Sequence, residues 1–122
     1  MQEFFTRSIA NEGVKLPLSY PDGSLSDHWI RVRGIDSDDF RKVEAVSKRK
    51  AVALSNLDDE AEREQAIKEI ELECIAALVA EWSFDEECNH ENIIKLLTEA
   101  PQVANAINIF AARRKDFFAK KS

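Results

Sequence analysis

A chain of 122 residues with 44% hydrophobic and 33% charged side chains has the balance of a folded domain, which excludes an intrinsically disordered one. A net charge of −6 disfavours a nucleic-acid partner, because phosphate contacts need a basic surface. No apolar run approaches the ~20 residues of a membrane span, and Met1-Gln2-Glu3-Phe4-Phe5 has neither the basic head nor the apolar stretch of a signal peptide, so a cytoplasmic single domain over residues 1–122 is expected.

The first element is a β-hairpin over residues 14–35. Val14, Leu16, Leu18 and Tyr20 alternate with polar or turn-forming residues, and Pro21-Asp22-Gly23-Ser24 supplies the turn. The second strand carries Trp29, Ile30, Val32 and Ile35, and Gly34 ends it. Pro17 cannot donate to a ladder, which places its strand at an edge. Asp36-Ser37-Asp38-Asp39 then opens a helix over residues 36–55, whose apolar side is Phe40, Val43, Val46, Ala53 and Leu54.

A long helix is expected over residues 59–82, with the stripe Ile67, Ile70, Cys74, Ile75, Leu78, Val79 and Trp82 at three-four spacing. Ser83-Phe84-Asp85-Glu86 has the spacing of a capping box, and Asn89 caps a short helix over residues 90–100. Pro101 starts a last helix, residues 101–118, with Val103, Ile107, Phe110, Phe117 and Phe118. The expected fold class is therefore α+β: an N-terminal β-hairpin or small antiparallel sheet packed with a mainly α-helical bundle of about four helices.

Few patterns here carry chemistry. The three glycines, Gly13, Gly23 and Gly34, lie far apart, so no glycine-rich loop can cradle a phosphate. Cys74, Cys88 and His90 lack a fourth metal ligand and a paired C-x-x-C, and Cys74 falls on an apolar stripe where free cysteine packs as a small hydrophobe. Both cysteines are expected as free thiols. His28 sits in the hairpin, and Cys88-Asn89-His90 points its side chains apart, so neither makes a nucleophile–base pair. Paired carboxylates such as Asp58/Asp59 and Glu86/Glu87 lie in dense acidic runs that solvation explains. The reading is a protein with no catalytic, cofactor-binding or metal residues.

What remains is surface for contacting another protein. Trp29, Phe84, Phe117 and Phe118 lie near element ends, where an aromatic side chain can anchor a partner or close the core, and two of the four are expected to be buried. Arg113 and Arg114 add a basic cluster beside the last pair. Residues 58–91 carry a net charge of −11, and the remainder of the chain is positive. An acidic middle and a basic end favour head-to-tail self-association that weakens with salt.

The second half also resembles a known family. Leu78-Val79-Ala80-Glu81-Trp82-Ser83-Phe84, then Asn92 to Pro101 with its Leu-Leu-Thr-Glu-Ala-Pro junction, then Ile107 to Phe118 ending in Arg-Arg-Lys-Asp-Phe-Phe, are similar in order to the tail assembly chaperones of long-tailed, siphovirus-type bacteriophages. The match is strongest over residues 60–118. The resemblance implies a chaperone that binds the tape measure protein and keeps it soluble in the host cytoplasm while the tail tube polymerises, and that is absent from the mature virion. It implies no catalytic residue. It also implies a longer form made by −1 ribosomal frameshifting, which would recruit a further component such as the tail tube protein; Ala119-Lys120-Lys121 is the candidate slip region. A minor virion protein of the head–tail joint, or an acidic adaptor that regulates a basic protein, are the competing readings.

Overall fold

The computed structural model describes residues 1–118. A short 3-10 turn, Gln2–Phe4, leads into α1 (Arg7–Glu12), and two strands follow, β1 (Val14–Ser19) and β2 (Leu25–Val32). The helices α2 (Asp38–Leu54) and α3 (Glu60–Ala76) come next, then β3 (Val79–Trp82), α4 (His90–Glu99), α5 (Pro101–Ala111) and a 3-10 turn at Arg114–Asp116. The architecture is α+β, a small antiparallel sheet with helices, as the residue pattern predicts.

The turn residues behave as their chemistry dictates. Gly23 takes φ +91°, and the Asp22 carboxylate accepts from the Ser24 amide at 2.9 Å and its hydroxyl at 2.6 Å. β1 pairs with β2 in antiparallel register, Leu16 opposite Ile30 and Pro17 opposite Trp29, with an irregularity between Pro17 and Ser19. Pro17 is tolerated because β1 is an outer strand of the order β1-β2-β3.

The third strand is the main departure from the expected elements. The predicted helix over 59–82 stops at Ala76, and Val79–Trp82 pairs with β2, Ile30 opposite Trp82 and Val32 opposite Val79. Tertiary partners decide this. Arg33 Nη1 donates to the Ala77 and Val79 carbonyls, both at 3.0 Å, which holds a cation at the end of α3. Arg31 meets Glu81 across the strands at 2.7 Å. Without β3, the ladder groups on that side of β2 would lack partners.

Ser83 is a second departure. No helix starts at Ser83-Phe84-Asp85-Glu86; the Ser83 hydroxyl instead accepts from the Trp29 amide at 2.9 Å. The last helix is also shorter than predicted and ends at Ala111. The chain then turns back, which lets Phe117 reach the interior at 1% exposure. Gly34 makes room there: a Cβ on it would stand 2.9 Å from the Ala10 Cβ and 3.1 Å from the Phe117 ring. Other helix starts agree with expectation, with Ser37 and Asn89 capping α2 and α4 and Pro101 in the first turn of α5, while Asp59, expected inside the helix, caps α3.

One cluster joins Leu18, Ile30 and Val32 of the hairpin to Leu78, Val79, Ile93, Leu97, Ala104, Ile107 and Ala111. α2 and α3 contribute little to it. In these two 17-residue helices only Ser47 and Ala76 are buried. Among the described residues no helix is long and apolar enough to cross a membrane, and no group of three or more His, Cys, Asp or Glu side chains is placed to hold a metal ion.

Candidate protein-contact surface

The six residues expected to contact a partner fall in two places. Trp29 and Phe84 belong to the β2–β3 end and are half-buried. The Lys15 ammonium lies 4.2 Å from the centre of the Trp29 ring. Phe84 stacks between His28, centroids 4.9 Å apart, and Trp82, 5.3 Å apart and edge-on. These contacts leave both aromatics engaged within the fold. Beside them Trp82, Phe84 and Leu96 line a small pocket of about 280 Å³, edged by Glu86, Lys95 and Glu99.

Arg113, Arg114, Phe117 and Phe118 follow α5. Phe117 meets Phe110 edge-on at 5.6 Å inside the core, so its ring is not offered to a partner. Phe118 is 37% exposed. Arg113 pairs with Asp116 at 3.5 Å, and Arg114 is a two-pronged donor to Asp36 at 2.8 and 3.0 Å. Asp36 also accepts from the Thr6 hydroxyl at 2.8 Å and from Arg41 at 3.2 Å. The Arg114 guanidinium, with Thr6 and Arg41, outweighs the effect of burial and lowers the Asp36 carboxyl to about 2. Much of the basic cluster is therefore committed to internal pairs. The candidate slip region Ala119-Lys120-Lys121 lies outside the described residues.

A larger open apolar surface than the pocket beside Trp82 lies elsewhere. A trough of about 610 Å³ runs along the α2–α3 hairpin. Val43, Val46, Ala53 and Leu54 of α2 and Ala66 and Ile70 of α3 give it an apolar floor. Its two walls are oppositely charged: α2 supplies Lys42 and Lys50, and α3 supplies Glu69 and Glu73. Among the described residues Lys42, Lys50 and Glu69 enter no ion pair, whereas Glu73 lies 2.8 Å from His90 Nε2. Near one end the Ser47 hydroxyl is 3.2 Å from the Cys74 thiol, so the two helices touch there while their outer shoulders stay uncovered. Val46 is 39% exposed, Ile67 42% and Val52 72%.

The apolar stripes of both helices are visible in the sequence as core-forming faces. That Val43, Val46, Ala53, Leu54 and Ile70 line a trough, while Phe40 and Ile75 reach the core, was hidden, because periodicity shows which side of a helix is apolar and not whether anything covers it. The thinness of the stripe before Ile67 was the available signal: residues 58–66 offer no apolar side chain larger than alanine.

The model of the phage tail assembly chaperone family matches residues 12–117, nearly the whole chain. The chain belongs to that family. Tail assembly chaperones are assembly factors of phage tails and not a class of enzyme. No curated protein and no solved structure matches the chain.

Proposed function

We propose that this tail assembly chaperone binds the tape measure protein through the α2–α3 trough and keeps it soluble until tube subunits enclose it. It acts in the host cytoplasm and leaves before the particle is complete. The observation that supports this reading is the open trough itself. A long helical chain with uncovered apolar faces aggregates when made alone, and an apolar floor between charged walls covers such a face while leaving charge outward. The acidic residues on the exposed side of α3, among them Glu60, Glu62, Glu64 and Glu71, keep the complex soluble by repulsion.

Co-expression tests this. The tape measure protein is expected in the soluble fraction when made with the chaperone and in the pellet when made alone. The double variant Val46→Asp/Ile70→Asp is expected to abolish the protection while retaining a cooperative thermal transition, because neither side chain is fully buried. Purified virions should contain no copy of the protein by mass spectrometry. A tape measure protein that stays in the pellet regardless, or a stoichiometric copy in the virion, would overturn the reading.

A further inference from the structure

A helix in a two-helix hairpin has one neighbour, and an apolar stripe wide enough for a globular core keeps a shoulder exposed on the other side. α2 is nearly in that position, packed mainly on α3, whereas α3 also packs against α4 and α5; Val46 and Ile67 are about two-fifths exposed, and a trough lies between the two helices. The trough extends from Lys42 to Leu54, about 18 Å of helix axis at roughly 1.5 Å per residue. That length suits roughly twelve residues of a third helix laid along the hairpin, which would complete a three-helix layer.

The charges specify more than the shape does. The α2 wall is cationic and the α3 wall anionic. We propose that the trough seats one amphipathic helix of the client chain, with acidic side chains on the flank beside α2 and basic side chains on the flank beside α3. This rests on the chaperone reading above and names the chemistry of the client segment. A helix with like charges on both flanks would meet one wall that repels it.

The occupant comes from another kind of chain rather than from a second copy. α4 already buries Ile93 and Leu97, and α5 buries Ala104, Ile107 and Ala111. α1 has only six residues and is anchored through Ala10 and the pair between Arg7 and Asp38. No described helix of this chain is therefore spare to fill a neighbour's trough. A second hairpin would set one concave face against another and leave both floors partly uncovered.

The test uses the full chain and three synthetic helical peptides of about fourteen residues, long enough to fill the trough. All share one leucine stripe; one has glutamates on one flank and lysines on the other, one has glutamates on both, and one has lysines on both. By fluorescence anisotropy the mixed peptide is expected to bind about tenfold more tightly than either uniform peptide, the sum of several exposed ion pairs gained rather than lost. The variant Lys42→Glu/Lys50→Glu, at two exposed positions, is expected to transfer the preference to the all-lysine peptide. Equal affinity for all three, a preference the variant does not move, or a stable dimer that no peptide displaces would overturn the seat. If no peptide binds yet co-expression still protects the tape measure protein, the seat falls and the chaperone reading stands. If the peptides discriminate and co-expression gives no protection, the seat is supported and the chaperone reading falls.

Discussion

Asp36 is the residue on which the two ends of the described chain converge. Its carboxylate takes Thr6 from the first segment, Arg41 from α2 and Arg114 from the last turn. The side chain is 19% exposed, enough shelter for these bonds to count, while both arginines are about half exposed and partly screened. With its ionisation lowered to about 2 from an ordinary 3.8, the folded state holds the charged form more tightly than the unfolded chain does. The contribution is therefore complete above about pH 4 and disappears as pH falls through 2. Asp36→Asn is expected to lower unfolding free energy by about 1–2 kcal/mol at pH 7, allowing for the screening. In urea titrations the gap between the two proteins should close near pH 2; an unchanged gap there would show that the loss arises from packing and not from charge. None of this was legible in the sequence, because Thr6, Asp36 and Arg114 are separated by most of the chain and local pattern carries no record of such a meeting.

At the scale of elements, the α3–β3 junction shows how far periodicity reaches. Leu78, Val79 and Trp82 continue a three-four stripe, and Ala80, Trp82 and Phe84 also lie two apart, so the same residues satisfy a helix and a strand. No glycine or proline punctuates the change. Arg33 and the open side of β2 decide it, and both lie more than forty residues upstream. Segments with strong local chemistry were legible: the Pro-Asp-Gly-Ser turn, Asn89 before α4 and Pro101 opening α5 are each found where side-chain chemistry requires them. α1 was missed because six residues carry too little pattern. For the contact surface, the sequence identified apolar faces but assigned them to the core, and the aromatics it singled out are largely engaged internally. Trp82 now reads as a strand residue, half-buried, with its indole N–H donated to the Glu86 carbonyl at 2.7 Å. Trp82→Ala removes that bond, the edge-on contact with Phe84 and the side chain opposite Ile30. The expected cost is about 3 kcal/mol, the low end for a tryptophan because the ring is partly in water. Thermal unfolding within a degree or two of the parent would show instead that the indole serves a partner.

For the whole molecule, charge is divided between an acidic middle and a positive remainder, and the structure moderates that division. Arg113 and Arg114 neutralise Asp116 and Asp36, whereas Lys115 forms no ion pair among the described residues. Head-to-tail association therefore has fewer free cations to use than the sequence suggests. We expect any oligomer at low salt to fall apart as ionic strength rises past ~0.1 M, where exposed charges are screened within about 10 Å. Light scattering across a salt series checks this, and a species unaffected by salt would point to the apolar surfaces instead. The sparse interior of the α2–α3 hairpin has a consequence for timing. Helices that bury so little open at low free-energy cost, and a ligand that must first still them spends part of its contact energy on doing so. For the client proposed above, this would hold the grip to a strength that a growing tube can overcome. On that proposal a deeper, more rigid cleft would hold its cargo too long, and the half-built hairpin would serve as the release mechanism.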